Sequence, residues 1–365
     1  MDKKRKTILF LSESIRRDNH RPLVYFKKYR CLHLYIKAPY GDMIKEDFVS
    51  SEKVKIHKVF ARIRKESPDV LQGVEPFGSK IGFILSVISY YYALTSKVKL
   101  VSPVYENRPI HEKFSLFQRI LLRLFCPMYL KRADVVIPVT NKSEEIVKSY
   151  YSRAKIDRSV IWGSWGIDTD EFRPLKEKER GLLVYVGKLI QEKGLKYMLE
   201  GFSGALEEVK YLKLNIVGDG PYKHDMETII KMLKIDRKVK FIGLVPNKEV
   251  PRYMSEAELC LYPSYATKKW AEQTGLVNFQ ALSCGTPLLT TDSGGNPEYI
   301  KDGEGAMIVH QRNSEEIESS IIKFFTDETY KNDLTDRARK YVRRFDSKIQ
   351  IGKAENLLDK IFNED

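Results

Sequence analysis

Short apolar runs alternate with longer amphipathic stretches along most of the chain, and that alternation stops once and restarts. In the first stretch TILFLS (7–12) is followed by LVYFKKY, LHLYIK and VKIHKVF. DVLQG (69–73) leads into GSKIGFILSVISYYYALTSKV, and KLVSPVYEN (99–107) into the long helical HEKFSLFQRILLRLFCPMYLKRA. DVVIPVT (134–140) and a helical KSEEIVKSYY close the series. Strands that are apolar throughout are buried on both faces, and a helix after each one returns the chain to begin the next in parallel. Periodicity fails in VIWGSWGIDTDEFRPLKEKERG (160–181), which reads as a connection between domains. The rhythm then resumes with strands LLVYVG (182–187), LKLNIVGDGP (212–221), KVKFIGLV (238–245), LCLYPS (259–264) and PLLTTDSGG, with helices between them and in the tail. The expected fold is α/β, with two Rossmann-like doubly wound domains facing across a cleft that takes the ligand. The domains are expected at 1–170 and 171–340, with residues 341–365 a helix packing back toward the first.

A chain of 365 residues is long enough for two cores. Its charge is unevenly divided. Residues 1–175 hold 33 Lys and Arg against 19 Asp and Glu, whereas residues 176–365 hold 30 of each. The entire net charge of +14 therefore sits in the first half, a field that favours an anionic partner there. Four scattered cysteines, Cys31, Cys126, Cys260 and Cys284, show neither pairing nor metal-ligand spacing and fit a reducing compartment. The basic residues 1–6 precede a strand rather than the apolar core of an export signal. The longest apolar run, Ile81 to Leu94, is 14 residues, short of the roughly 20 a spanning helix needs. The expected location is cytoplasmic, with peripheral attachment at the membrane face.

Chemistry concentrates after the strands of the second half. Lys188 and Lys193 follow LLVYVG, Gly218-Asp219-Gly220 follows LNIV, and YATKKWAEQTG follows LCLYPS. Lysines near one helix start and a Thr-Gly at another form a cradle for an anion, because open N–H groups and the helix dipole favour negative charge. With a helix starting near Gly275, Gln280 lies about 7 Å up its axis while Glu272 stays in the loop below. A phosphate at that N-terminus would then have a carboxylate and an amide on either side, suited to hydroxyls of a sugar and a ribose.

The segments VYVGKLIQEKGLKYMLEGF, LNIVGDGPY, VKFIGLVPNKEVPRYMSEAELCLYPS and EQTGLVNFQALSCGTPLLTTDSGGNPEYI resemble, in order and spacing, the GT-B glycosyltransferases of retaining family 4 (glycosyl transferases group 1). The resemblance is dense from Leu182 to Val309 and extends more weakly back through ADVVIPVTNKSEEI. It implies transfer of a sugar from a nucleotide sugar to an acceptor hydroxyl with retention of configuration and no metal or other cofactor. It puts Lys188, where the family usually has Arg, and Lys193 on the donor diphosphate, and Glu272, first acid of the E-x7-E motif, on the sugar hydroxyls. The second acid is Gln280 here, a departure that keeps an acceptor for the ribose and removes a charge. Gln273, Thr274, Gly275 and Leu276 would meet sugar and phosphates, Gly218 belongs to the donor side, and Phe241 and Ile242 would lie near the base. A UDP-sugar is the first expected donor and GDP-mannose the second.

The first half departs further. Its first loop, SESIRRDNHRPL, lacks the family's glycine pair, and Arg16, Arg17 and Arg21 there suit an anionic acceptor. In VYENRPIHE, Glu106 is the candidate to orient or deprotonate the acceptor hydroxyl, and His111 lies nearby. The helix over 113–132 interleaves Phe114, Phe117, Leu121, Leu124 and Phe125 with Lys113, Arg119, Arg123, Lys131 and Arg132. Such a basic amphipathic helix can lie on an acidic membrane, which points to a lipid-linked or anionic glycan acceptor. Two other functions compete: a non-catalytic nucleotide-sugar binder, and a nucleic-acid-binding protein. The second is disfavoured, since no zinc finger, RNP-like aromatic pattern or Lys/Arg-rich tail is present.

Overall fold

The computed structural model describes residues 5–39 and 49–364, so most of the basic lead segment 1–6 lies outside the described residues. The chain divides into two units: Met1–Gly166 together with Ser347–Asp365, and Ile167–Asp346.

The first unit holds strands β1 (Lys6–Ser12), β2 (Tyr29–Tyr35), β3 (Ser50–Lys53), β4 (Val70–Gln72), β5 (Lys99–Val104) and β6 (Val135–Pro138) in the order β3-β2-β1-β4-β5-β6. Every pairing is parallel; Ile8 of β1, for example, lies opposite Cys31 of β2 and Val70 of β4. Strand periodicity sorts the side chains onto two faces. Leu9, Leu11, Leu71 and Leu100 enter one core, and Ile8, Phe10, Val70 and Val101 the other. The first core is covered by the helices Val59–Glu66, Lys80–Leu94 and Leu116–Arg132. The second is closed by Trp162 and Trp165 and by Ile351, Ala354, Leu358 and Ile361 of the terminal helix Ser347–Asn363.

Residues 160–166, read from sequence as part of a connection, are thus core. Both indoles are buried, and their N–H groups find acceptors: Trp162 donates to Gln72 Oε1 (2.9 Å) and Trp165 to the Asn19 carbonyl (3.1 Å). VKIHKVF forms no strand. Val59 and Ile63, one turn apart and fully buried, start a helix there instead. One edge strand of the sheet is the polar, mostly exposed Ser50–Lys53; the other is the buried β6. LVYFKKY begins in a 3₁₀ turn, Arg21–Tyr25, and only its last tyrosine enters β2.

The second unit repeats the winding with β7 (Leu182–Val186), β8 (Lys213–Val217), β9 (Val239–Gly243), β10 (Leu259–Tyr262), β11 (Leu288–Thr291) and β12 (Ala306–Val309), ordered β12-β11-β10-β7-β8-β9. β12 has no counterpart among the sequence-read strands; it is four residues long, preceded by the turn at Gly303 and Gly305. Both units are Rossmann-like. In the second, connections after β7 and β10 depart to opposite sides, so the loops at their carboxyl ends bound a topological switch point.

Candidate functional site

At that switch point the backbone is packed too tightly for side chains. Gly187 N–H donates to Val217 O (3.0 Å) and Gly218 N–H to Gly243 O (2.8 Å). A Cβ on Gly218, at φ +133°, would fall 1.9 Å from the Gly187 carbonyl oxygen. Gly194, at φ +71°, turns the chain from the 3₁₀ segment Gln191–Lys193 into the helix Leu195–Glu208, and a Cβ there would meet Pro263 O at 1.8 Å. The loop after β7 is thereby pressed onto the end of β10.

This contact brings Lys193 to Glu272. The ammonium donates to Glu272 Oε2 (2.9 Å) and to the Tyr262 hydroxyl, and lies 4.6 Å and 4.4 Å from the ring centres of Tyr262 and Trp270. Both charged side chains are nearly shut from solvent, at 12% and 13% exposure. Tyr262 donates to the same carboxylate oxygen (3.2 Å) and stacks on Tyr185, whose hydroxyl holds the Lys188 carbonyl (3.0 Å). Burial first, and the Glu272 charge second, push both phenols far above the usual tyrosine range, so they act as neutral donors. Glu272 is fixed from behind by the Gly-Gly turn. Gly295 N–H donates to its carbonyl (2.9 Å), and a Cβ on Gly294, at φ +55°, would lie 2.2 Å from that same oxygen.

The helix Leu276–Ser283 starts at Gly275 in the left-handed region, φ +56°, with no side-chain cap. The N–H groups of Leu276 and Val277 are therefore left without intrahelical acceptors, while Asn278 N–H donates to the Gly275 carbonyl (2.8 Å). A Cβ on Gly275 would collide with Asn278 Nδ2 (2.5 Å) and Asn296 Oδ1 (2.6 Å). Those two amides are fully buried and bonded to each other (3.0 Å), and Asn296 is anchored to Thr290 Oγ1 and Thr291 O. Gln280 is half-buried on this helix. Lys188 is exposed, and its ammonium has no partner among the described residues. Gln273 is exposed, Thr274 and Leu276 half-buried at the helix start, and Gly218, Phe241 and Ile242 half-buried at the ends of β8 and β9. The two lysines read as a pair for one anion stand in different surroundings: Lys188 is exposed, whereas Lys193 is nearly shut from solvent. Lys193 is held by Glu272, because the turn at Gly194 leaves the two side chains in one desolvated recess.

In the first unit, Glu106 is 4% exposed and bound by Arg108 (Nε 2.9 Å, Nη2 3.0 Å) and by Lys113. Burial raises its pKa, but the two cations overrule this and hold it below the usual range. A carboxylate so held is a poor base, a physical obstacle to the deprotonating role expected from its position. Arg16 pairs with Asp18 (2.7 Å), Arg17 is buried, Arg21 begins the 3₁₀ turn, and His111 is exposed on the short helix Ile110–Lys113. Sequence reasoning did not single out Tyr185, Tyr262, Trp270 or the Asn278–Asn296 pair. The signal available was a tyrosine near the end of each of two otherwise aliphatic strands. Among the described residues no group of His, Cys, Asp and Glu is placed to hold a metal ion, and no helix is long and apolar enough to cross a membrane.

Residues 166–341 match the family described as Glycosyl transferases group 1. The chain is 22% identical over 258 residues to an uncharacterized glycosyltransferase of Methanocaldococcus jannaschii, covering 67% of this chain and 61% of that one. It is 27% identical over 247 residues to the N-acetyl-alpha-D-glucosaminyl L-malate synthase of Bacillus anthracis, covering 65% and 62%. The matches thus span less than two thirds of these relatives. By fold it superposes on Anabaena HepE in complex with UDP with a TM-score of 0.78, at 17% identity, over 98% of this chain and 100% of that one.

Proposed function

Because residues 166–341 belong to the glycosyl transferases group 1 family, we propose that the protein is a retaining glycosyltransferase that moves a hexosyl or N-acetylhexosaminyl group from a UDP-sugar to an acceptor hydroxyl. The observation that carries this reading is the Lys193–Glu272 pair beside the uncapped helix start at Gly275. Open N–H groups and the free ammonium of Lys188 suit a diphosphate, and a carboxylate rigidly held next to them suits the hydroxyls of the sugar it carries. The UDP carried by Anabaena HepE supports uracil as the base. Gln280 would take the ribose, Gly218 would allow close approach of the nucleotide, and Phe241 and Ile242 would border the base.

In the proposed mechanism the acceptor oxygen approaches the anomeric carbon on the face from which the diphosphate departs. The C–O bond to the diphosphate breaks, its electron pair staying on the leaving oxygen, and the bond to the acceptor forms on that same face. With Glu106 committed to Arg108 and Lys113, the acceptor proton passes to the leaving diphosphate oxygen, and Glu106 serves to order the VYENRPIHE loop. Lys188 and the helix N–H groups stabilise the charge developing on the diphosphate, which is electrostatic catalysis of the oxyanion type, while Lys193 holds Glu272 in place beside them. The basic first unit, with Arg16, Arg17, Arg21 and His111, suits an anionic or lipid-linked glycan acceptor at the cytoplasmic membrane face.

A thermal-shift screen of UDP-, GDP-, ADP- and dTDP-sugars tests the donor, since a ligand that binds only the native state stabilises it. UDP-sugars are expected to give the largest rise. Glu272→Ala should abolish turnover while UDP still raises the melting temperature. A variant that retains turnover would overturn the role of Glu272, and wild-type binding without transfer or donor hydrolysis over a broad acceptor panel would leave a nucleotide-sugar binder.

A further inference from the structure

Of the sixteen exposed large apolar side chains among the described residues, ten lie on two neighbouring helices of the first unit. Ile84, Val87, Tyr91 and Leu94 form one stripe on Lys80–Leu94, and Leu116, Phe117, Ile120, Leu121, Leu124 and Met128 cover one side of Leu116–Arg132. The remaining six are scattered, as is ordinary for a protein surface. Between the helices runs a groove of about 330 Å³ lined by Phe83, Ile84, Phe114, Phe117 and Leu121, with Lys80 at its rim. On the other flank of the second helix lies a separate hollow of about 640 Å³, lined by Arg119, Arg123, His111, Tyr150 and one carboxylate, Glu145. Arg119 Nε there is shut from solvent and has no partner among the described residues.

We propose that this face lies on an acidic bilayer, its exposed apolar side chains against the hydrocarbon and lipid phosphates seated at Arg119 and Arg123 in the neighbouring hollow. Charge selects this occupant over a second copy of the chain. Neither helix carries an acidic residue, while Leu116–Arg132 alone carries Arg119, Arg123, Lys131 and Arg132. A second copy would set cation against cation across the apolar contact. An acidic bilayer supplies the opposite charge and a hydrocarbon solvent at once. The site gives a physical reason for the net charge of the first half, and it operates whether or not the second unit transfers a sugar.

The test is sedimentation of the full chain with vesicles of phosphatidylcholine, with and without phosphatidylglycerol, beside the UDP-sugar thermal shift on the same samples. Binding is expected only with the anionic lipid and is expected to weaken with salt. Arg119→Gln with Arg123→Gln should reduce affinity roughly thirtyfold. Leu121→Glu with Leu124→Glu, both exposed and so without a core cost, should abolish binding while the thermal shift persists. Full recovery in the supernatant with anionic vesicles would overturn the proposal, as would undiminished binding by the Glu variant. A dimer in sedimentation velocity that the Glu variant dissolves, with no vesicle binding, would assign the face to a second copy instead. Loss of the thermal shift alone would count against the transferase reading and leave the lipid site standing.

Discussion

Lys193 and Glu272 compensate each other in a recess that admits little water, so neither can be removed alone without leaving a largely buried charge. Lys193→Met is expected to cost about 3 kcal/mol of unfolding free energy. With Glu272→Ala added, the double variant should cost less than the sum of the singles, because no charge is then left stranded. Urea unfolding of all four proteins measures the cycle, and additive costs would show that the pair is not coupled. The two partners were legible in different ways. Glu272 stood out because a carboxylate eight residues before an amide, astride Thr-Gly, has no use in an ordinary core. Lys193 was legible as a cation at a helix start, but its pairing was not, since 79 residues separate it from Glu272 and only the turn at Gly194 closes the distance. The Glu106 case is more local. Arg108 and Lys113 are visible two and seven residues on, yet whether they fold back onto the carboxylate depends on the loop, which periodicity does not describe.

Among elements, the terminal helix Ser347–Asn363 does the most for the first unit. It covers the face lined by Trp162 and Trp165, and Glu355 Oε1 accepts the backbone N–H groups of both Lys27 (2.7 Å) and Lys28 (2.6 Å). Glu355→Ala leaves both donors without that acceptor and is expected to destabilise the first unit by about 2 kcal/mol, whereas Glu355→Gln keeps an acceptor and should cost less than half as much. Urea unfolding followed by tryptophan fluorescence in a Trp270→Phe background reads this unit alone; equal losses in the two variants would mean that the backbone acceptor is not what matters. Regular, fully buried strands and long amphipathic helices could be read directly, because burial on two faces or one leaves a period in the sequence. Ser50–Lys53 and Ala306–Val309 could not. One is a polar edge strand, and the other is separated from β11 only by the short helix Asn296–Tyr299, so no long amphipathic stretch marks it off. Residues 160–166 posed the opposite problem: an irregular segment whose apolar side chains are buried has composition without period, and its two indoles were the clue to core.

At the scale of the molecule, the dependence of stability on pH is set by groups whose shifts oppose each other. His20 is buried and bonded through Nδ1 to His33 Nδ1 (2.9 Å), and His33 Nε2 is bonded to Ser12 Oγ (2.8 Å). Burial lowers both imidazoles, His20 to about 4 and His33 well below its ordinary value, so both stay neutral in the fold where the unfolded chain protonates near pH 6.5. As pH falls from about 6.5 toward about 4, the unfolded chain takes up these protons and the fold loses stability. Glu75 works the other way. Its carboxyl is fully buried, accepts the N–H groups of Tyr105 (2.8 Å) and Glu106 (2.9 Å), and is raised by burial to about 7. The fold keeps that proton while the unfolded chain gives it up near pH 4.5, so its contribution is lost as pH rises from about 4.5 to about 7. Between about pH 5 and about pH 6 two imidazoles therefore oppose one carboxyl, and the unfolded chain holds about one proton more. The stability of the first unit should therefore rise with pH there, and Glu75→Gln, which removes the opposing group, should steepen that rise. Urea midpoints of the Trp162 and Trp165 signal across this range check both. A flat or falling wild-type profile, or an unchanged slope in Glu75→Gln, would show that the buried histidines and Glu75 do not titrate as their surroundings dictate.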